Sequence, residues 1–181
     1  MIKTTNIDSV VMESLNDSDI IIPKKDFRNQ LVDFEDKLKD LDNCFVGDND
    51  TCPLKHDFAD NIYVREIFIP KNTLLTGKIH KHEHPNFLMS GEVLVITEEK
   101  GREILKAPLS MISKAGTKRA LYALTDLVWI TVHHNPSNTQ NLEELEELVI
   151  AKNFEEYDNF ISTKKSLISR LKDLIIKKLL L

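Results

Sequence analysis

The spacing of hydrophobic residues changes twice along this chain of 181 residues. Near the N-terminus apolar residues recur at intervals of three and four, which predicts an amphipathic helix over about 24–42. These residues are Phe27, Leu31, Phe34, Leu38 and Leu41. From about 61 to 134 the period is two, in short runs rich in branched and aromatic residues and separated by turn residues. The helical spacing then returns and predicts helices near 139–150 and 155–179.

This pattern predicts a mainly β protein, with a single antiparallel β-barrel and helices at both ends. The expected division is an N-terminal extension with one amphipathic helix at 1–50, the barrel at 51–137, and a C-terminal helical segment at 138–181. The residues that precede the first helix are polar, and we expect them to be loosely ordered. The turn-rich stretch 44–61 is interpreted as a connector.

Composition and charge narrow the class of protein. The net charge is −5 and the isoelectric point is about 5.7, which argues weakly against a nucleic-acid partner. No run of 18 apolar residues is present, so the sequence predicts no membrane span. The N-terminal residues lack the apolar core of a secretory signal, so we expect a cytoplasmic protein.

Histidines are concentrated in residues 79–85, which read IHKHEHP. In an extended strand alternate side chains share a face, so His80, His82 and His84 are candidates for one face. If that face is the barrel interior, the imidazoles converge as a first-row transition metal requires. If it is the outer face, they are solvated surface residues. The run LVWITVHH ends in His133 and His134, and alternation directs one of these two inward.

The segment TGKIHKHEHPNFLMSGEV resembles the first signature of the cupin superfamily, G-x5-H-x-H-x(3,4)-E-x6-G. Counted back from Gly91, His84 lies at the position of the cupin glutamate and His80 at the position of the second histidine. Lys78 occupies the position of the first histidine. The segment ISKAGTKRALYA resembles the second signature, G-x5-P-x-G-x2-H-x3-N, and places Arg119 at its histidine position.

Over more than half of its length the chain also resembles small cupin-domain proteins that tailed bacteriophages and some bacteria encode. The segments that carry this resemblance are CPLKHDF, YVREIFIPKNTLLTGKIHK, EHP, GTKRALYA and DLVWITVHHN. Matching positions include His80, His84, Arg119 and His133, whereas His82 lies where the group varies. The resemblance implies a cupin-type jelly-roll barrel, located in the host cytoplasm if the protein is phage-encoded.

The resemblance also implies a mononuclear metal site formed by His80, His84 and His133. Three imidazoles that leave open coordination positions suit Fe(II), Mn(II), Ni(II) or Zn(II). Isomerase, lyase and dioxygenase chemistry all occur on this fold. The alternative is a non-catalytic scaffold or virion-associated module, in which the histidines are surface or hydrogen-bonded residues.

Cations beside the histidines predict a small anionic ligand. Arg119 and Lys78 stand at cupin ligand positions, and a guanidinium holds a carboxylate or phosphate well. Arg65 adjoins Glu66 on a strand, so alternation directs one of the two into the barrel. Tyr122 follows Arg119 on the same strand and completes the candidate ligand-binding set. The alternatives are a surface pair for Arg65 and a salt bridge to a nearby acid for Arg119.

The C-terminal helix combines a broad apolar stripe with basic residues. The stripe comprises Leu167, Ile168, Leu171, Leu174, Ile175 and Leu179. Such a helix packs on its own domain, on a partner subunit or on an anionic membrane surface. A homodimer contact is the first expectation, and membrane contact is the minority interpretation.

Overall fold

The computed structural model describes residues 2–5, 24–42, 44–46 and 50–179. Its strands are β1 (Ile2–Thr5), β2 (Cys44–Val46), β3 (Leu54–Ala59), β4 (Ile62–Ile69), β5 (Thr73–Thr76), β6 (Ile79–His80), β7 (His84–Ser90), β8 (Glu92–Thr97), β9 (Gly101–Lys106), β10 (Leu109–Ser113), β11 (Arg119–Ala123), β12 (Leu127–His134) and β13 (Ile150–Ala151). Its helices are α1 (Lys24–Lys39), α2 (Leu142–Val149) and α3 (Phe154–Leu179).

Two antiparallel sheets enclose the main core. A six-stranded sheet has the order β2-β1-β5-β11-β8-β9, and a five-stranded sheet has the order β10-β7-β12-β4-β3. Inward residues of both sheets form one apolar cluster, because alternate positions of each strand face the same side. Its members include Ile67, Ile69, Leu75, Leu88, Val93, Val95, Leu121, Leu127 and Trp129. The predicted mainly β architecture, with antiparallel sheets and helices at both ends, is confirmed.

The N-terminal region contributes more than the predicted helix. Strand β1 pairs with β5 of the six-stranded sheet, with Ile2 opposite Thr76, and β2 pairs with β1 and forms one edge of that sheet. Helix α1 packs on the outer face of this sheet, where Lys118 Nζ lies 2.8 Å from Glu35 Oε1. The expectation of loose order is therefore wrong for residues 2–5, which gain backbone partners. For residue 1 and residues 6–23, the expectation of loose order lies outside the described residues.

Strand β3 corrects the interpretation of 44–61 as a connector. It pairs with β4 over its whole length and forms the edge of the five-stranded sheet. Leu54, His56 and Phe58 are more buried than their neighbours, which is the alternation of a strand with one covered face. The turn residues on both sides of this short run obscured the alternation.

The chain crosses from one sheet to the other at Gly91, between β7 and β8. Gly91 has φ of 88°, in the region that side-chain-bearing residues avoid. A Cβ atom there would overlap the carbonyl oxygen of Asp126 and lie 2.8 Å from Leu127 Cβ. The crossing therefore requires glycine for both its backbone conformation and its close packing.

The C-terminal segment closes one end of the barrel. Asn141 caps α2 by accepting hydrogen bonds from the backbone N–H groups of Glu143 and Glu144. Strand β13 then pairs with β6, with Ile150 opposite His80. The first turns of α3 contact the body, since the Arg28 guanidinium lies 4.6 Å from the Phe154 ring. None of the described helices is long and apolar enough to cross a membrane.

Candidate metal centre

Three histidines from three different strands meet inside the barrel. His80 ends β6, His84 begins β7, and His133 lies near the end of β12. Their ring centroids are 4.1 Å apart for His80 and His84, 4.6 Å for His84 and His133, and 5.0 Å for His80 and His133. One potential ligand atom from each residue lies within 4.8 Å of the others. The structure thus brings together the three residues that the sequence analysis selected as metal ligands.

Strand geometry explains which histidines enter the cluster. On β12 the residues Leu127, Trp129, Thr131 and His133 are buried and face inward, so His134 points outward and is exposed. The expectation that His82 shares a face with its two neighbours is wrong. The chain bends between β6 and β7, which breaks the alternation.

His82 consequently faces outward, where its ring meets the ring of Phe160 edge-on at 5.4 Å between centroids. The bend is fixed by the N–H of Lys81, which donates to the carbonyl of Val149 at 2.7 Å. A helix-end carbonyl of the C-terminal segment therefore determines which histidines face the cavity.

Hydrogen bonding leaves lone pairs of the cluster without protein donors. His84 Nδ1 lies 3.1 Å from the carbonyl oxygen of His82, so Nδ1 carries the proton and Nε2 carries the lone pair. His84 Nε2 and His80 Nδ1 are buried, and the described part of the protein offers neither of them a hydrogen-bond partner. Buried unpartnered imidazole nitrogens are costly in isolation, and coordination of a metal satisfies them.

The electrostatic environment keeps these histidines neutral. Burial lowers the pKa of His84 to about 4, with Arg119 acting in the same direction and the hydrogen bond to His82 opposing it. Burial, followed by the charges of His84 and Arg65, lowers the pKa of His133 to about 3. Burial also holds the pKa of His80 well below its usual value. Neutral imidazoles are the form that binds metal ions.

The donor set fits a divalent transition metal. A first-row ion binds histidine nitrogen at about 2.0–2.1 Å, which places ligand nitrogens roughly 3–3.5 Å apart. The ligand atoms of the three histidines lie within 4.8 Å of one another, so their approach to this spacing requires movements of less than about 2 Å. The described part of the protein brings no carboxylate or thiolate into the cluster, so three neutral imidazoles leave positions for water or a ligand.

The cluster lines a cavity of about 160 Å³. This is close to the volume of an engineered protein cavity of about 150 Å³ that binds benzene, so a small molecule fits. Ile67, Ile69, Leu75, Leu121 and Trp129 form its apolar part. Helix α2 and β13 cover the histidine end through Leu142, Leu145, Glu146, Val149 and Ile150.

Arg119 lies beside the histidines and lines the same cavity. Its guanidinium is 5.4 Å from the ring of Trp129 and donates a hydrogen bond to Ser113 Oγ. Burial lowers the pKa of Arg119 to about 10, opposed by the more distant charge of Glu103. Within the described residues Arg119 has no salt bridge, so the alternative of a pair with a nearby acid is not what the structure shows. A buried, charged guanidinium favours an anion in the cavity.

The two other predicted cations differ in their positions. Arg65 faces the cavity, and alternation along β4 turns Glu66 to the outside. Lys78 lies at the rim of the cavity, where Nζ is 2.6 Å from Glu146 Oε1 of α2. Lys78 therefore joins the barrel to its helical cover, whereas Arg65 and Arg119 lie within reach of a bound molecule.

Tyr122 does not line the cavity, which corrects its assignment to the ligand-binding set. Its side chain packs with Leu38, Leu74 and Leu94 between α1 and the six-stranded sheet. Its hydroxyl donates to Asn72 Oδ1 at 3.1 Å. The reason is alternation: Arg119 and Tyr122 are three positions apart on β11 and so point to opposite faces.

The sequence analysis missed a second aromatic group in the cavity wall. Tyr63 is buried opposite His133, with 6.0 Å between ring centroids. His56 Nδ1 lies 2.7 Å from the hydroxyl of Tyr63, and the two rings are nearly parallel. Both residues line the cavity. The signal that could have found them is the alternation of β3, which points His56 to the same side as Tyr63.

A buried network of hydrogen bonds around Asn86 supports the histidine cluster. Asn86 Nδ2 donates to the carbonyl of His84 at 3.1 Å and to Ser113 Oγ at 2.8 Å. Asn86 Oδ1 accepts from Trp129 Nε1 at 3.0 Å. Because Ser113 Oγ also accepts from Arg119, this network links the backbone of His84 to the guanidinium. The cavity therefore positions its imidazoles and its arginine through shared partners.

Comparisons with solved structures found several that resemble this chain over about half of its length. No family model and no curated protein matches the chain. One similar solved structure is an RmlC-like cupin with a double-stranded β-helix fold from Methanocaldococcus jannaschii, with 13% identity and a TM-score of 0.41 over 51% of this chain and 89% of that chain. Another is ectoine synthase from P. lautus, with 14% identity and a TM-score of 0.43 over 50% of this chain and 67% of that chain. A third is an acetylacetone dioxygenase from Acinetobacter johnsonii, with 13% identity and a TM-score of 0.39 over 50% of this chain and 72% of that chain. The activities in these names belong to those proteins.

The lowered histidine pKa values predict that the metal-free protein loses stability in acid. Unfolded histidine has a pKa of 6.5, whereas folded His84 has a pKa of about 4, so the unfolded state binds more protons between these values. This contribution to stability is complete above pH 6.5 and is lost as the pH falls towards 4. For His84 alone the loss is on the order of 3 kcal/mol.

Thermal unfolding of metal-free protein across this pH window measures the effect. The pH dependence should be clearly shallower in His84→Asn, which keeps a polar side chain but does not titrate. An unfolding midpoint that stays constant from pH 6.5 to 4 would contradict a cluster of buried neutral imidazoles. His80 and His133, whose pKa values are also lowered, contribute in the same direction, and the fixed charge of Arg119 lowers the pKa of His84 further.

Proposed function

We propose that this chain is a cupin-type barrel protein that binds one divalent transition metal ion through His80, His84 and His133. The observation that carries the proposal is the convergence of three imidazoles from three strands, with two buried nitrogens that lack partners. Iron, manganese, nickel and zinc all suit such a donor set. A bound ion would act as a Lewis acid or as an oxygen-activating centre for a molecule in the cavity.

The second part of the proposal is that this molecule is small and anionic. Arg65 and Arg119 line the cavity next to the cluster, and the cavity of about 160 Å³ admits only a small molecule. A dication close to two guanidinium groups is repulsive in a partly buried site, and an anion between them offsets that repulsion. A carboxylate or phosphate group matches the planar guanidinium of Arg119 with two parallel hydrogen bonds.

The roles of this chain's own residues follow from their positions. Arg119 and Arg65 would bind and orient the anion, and the apolar wall around Trp129 would exclude water from its other side. Asn86 and Ser113 would hold His84 and Arg119 in place. Isomerase, lyase and dioxygenase reactions are the candidate chemistries, and the fold by itself selects none of them.

A second candidate is a non-catalytic scaffold, such as a virion-associated module. The long α3, whose residues 162–172 are exposed, supports a role in assembly. In that case the cavity residues would contribute to stability and no metal chemistry would follow. Origin in the group of phage-encoded cupins and residence in the cytoplasm stay predictions from the sequence.

Replacement of Arg119 by glutamine tests the anion proposal. In metal-loaded protein we expect the Kd for inorganic phosphate or malonate to rise by about tenfold or more, because one charge-assisted bidentate contact is lost. Metal binding should be retained and not weakened, since Arg119 is not a ligand and its charge repels the ion. Isothermal titration calorimetry measures both affinities. The matched control is Arg170→Gln, which removes an exposed arginine from α3.

Two results would contradict this proposal. If neither anion binds the wild-type protein at concentrations well above millimolar, the cavity is not an anion site. If Arg170→Gln weakens anion binding as much as Arg119→Gln does, the effect is one of overall charge. Retained metal binding with absent anion binding would leave the metal proposal intact, so the two parts are separable.

A further inference from the structure

The two sheets differ in what covers their outer faces. On the six-stranded sheet, Leu38 of α1 packs against Leu74, Leu94 and Tyr122. On the five-stranded sheet, five large hydrophobic side chains that point outward remain at least 36% exposed. They are Ile62, Phe68, Phe87, Met89 and Ile112. Within the described residues, the five-stranded sheet thus lacks the cover that α1 gives the other sheet.

The outer side of the five-stranded sheet is apolar across four adjacent strands. We call this surface the outer patch. Its apolar members are Ile62, Val64, Phe68, Pro85, Phe87, Met89, Ile112, Val128, Ile130 and Val132. An antiparallel sheet that faces water on one side normally alternates apolar inward residues with polar outward residues. Here both faces are apolar, which is typical of a sheet covered on both sides.

The members of the outer patch are neighbours rather than scattered residues. Ile130 lies opposite Phe87 on one side, and Val128 lies opposite Phe68 on the other. Val132 lies opposite Val64. Adjacent strands are about 4.8 Å apart, so these side chains form a continuous surface.

The near absence of charged residues from the outer patch indicates which kind of partner binds it. At the outward positions of β4, β7, β10 and β12, Glu66 is the one residue with a formal charge at neutral pH, His134 being counted as neutral. A nucleic acid or an anionic membrane surface needs cations there, and the patch has none. A nearly neutral apolar sheet face can pair with a copy of itself without bringing many like charges together, and two such sheets pack about 10 Å apart.

The size of the outer patch agrees with a small specific interface. The exposed parts of its side chains sum to on the order of 500 Å² per subunit, since one fully exposed large side chain presents about 150–250 Å². A pair of patches then buries roughly 1,000 Å², which is the lower limit for a specific interface. The patch also reaches the upper range of single apolar patches on monomeric proteins, which is about 300–600 Å².

We propose that two copies of the chain form a two-fold symmetric dimer through the outer patch. The sequence analysis expected a dimer contact on α3 instead. Exposed apolar residues of α3, such as Leu171, are accompanied by Lys164, Lys165, Arg170 and Lys172. Two-fold pairing of α3 would bring these like charges together, whereas pairing of the outer patch brings together almost none.

Matched glutamate substitutions in the full-length protein test the dimer. Ile112 is 60% exposed on the outer patch, and Ile104 is 63% exposed on β9 of the other sheet. We expect Ile112→Glu and Phe87→Glu each to raise the dimer Kd by about a hundredfold or more, because two-fold symmetry buries each new charge twice. Ile104→Glu should leave the dimer intact. Sedimentation velocity over a concentration series measures the Kd.

Each outcome decides the proposal. A wild-type protein that stays monomeric at the highest soluble concentration overturns it. A dimer that survives both Ile112→Glu and Phe87→Glu also overturns it, and Leu171→Glu then shows whether α3 is the contact. Circular dichroism and unfolding midpoints show that every variant is folded. Because the patch faces away from the histidines, its failure would not affect the metal proposal.

Discussion

Replacement of His80, His84 or His133 by alanine is expected to abolish binding of a divalent transition metal. Each residue supplies one of three imidazoles whose ligand atoms lie within 4.8 Å of one another, so each loss removes a third of the donor set. Loss of an outer partner of a metal ligand already costs about 10–100-fold in affinity, so loss of a ligand should cost at least a hundredfold. Titration calorimetry with Zn(II) on protein without a histidine tag measures the change.

His82→Ala and His134→Ala are the matched controls, because both histidines are exposed and neither belongs to the cluster. They should bind Zn(II) as the wild-type protein does. If His82→Ala proves as damaging as His84→Ala, the assignment of ligands is wrong. His84→Asn leaves a smaller cavity than His84→Ala, so comparison of the two variants separates loss of a ligand from loss of packing at this buried position.

Gly91→Ala is expected to destabilise the fold strongly. A Cβ atom at Gly91 meets the Asp126 carbonyl and Leu127 Cβ, and the backbone has φ of 88°. Overpacking and an unfavourable backbone conformation together should cost about 3 kcal/mol or more. For a chain of this size that cost lowers the unfolding midpoint by roughly 6–12 °C.

Gly101→Ala provides the comparison for Gly91→Ala. Gly101 also has a positive φ, of 65°, but a Cβ atom there meets nothing within 4 Å. Gly101→Ala should therefore lower the free energy of unfolding only through the unfavourable backbone conformation, by about 1 kcal/mol. Thermal unfolding in the same buffer measures this loss. Equal losses for the two variants would mean that the crossing between the sheets is not tightly packed at Gly91.

Much of the fold could be predicted from the sequence, because the spacing of hydrophobic residues within each segment indicates whether it forms a helix or a strand. The change from helical to alternating spacing located most of the strands and all three described helices. Strands β1, β2, β3 and β13 were missed for a physical reason. Each is a short strand that is stabilised by pairing with a neighbouring strand, and such pairing leaves little trace in local sequence.

The candidate site was predictable where a strand supplies alternation and less so elsewhere. Alternation predicted that one of His133 and His134 faces inward, the resemblance to small cupin-domain proteins selected His133, and the cupin signature selected His80 and His84. The bend after β6, which turns His82 outward, depends on a hydrogen bond from Lys81 to Val149, 68 residues away. Contacts at such separations are set by the folded chain and not by local pattern.

The same limit explains the misassignment of Tyr122 and the omission of the helical cover. Proximity to Arg119 in sequence suggested proximity in space, but a separation of three along a strand reverses the face. Helix α2 showed an amphipathic pattern, yet its position over the histidines rests on long-range contacts such as the pair of Lys78 and Glu146. Its apolar side supplies part of the cavity wall.

Metal content tests the central claim most directly. Tag-free protein, incubated with Fe(II), Mn(II), Ni(II) or Zn(II) and then desalted, should retain one ion per chain for at least one of these metals when measured by inductively coupled plasma mass spectrometry. The double variant His84→Ala, His133→Ala should retain essentially none. Sub-stoichiometric metal in the wild-type protein with every ion tested, or equal metal in wild type and double variant, would contradict the account.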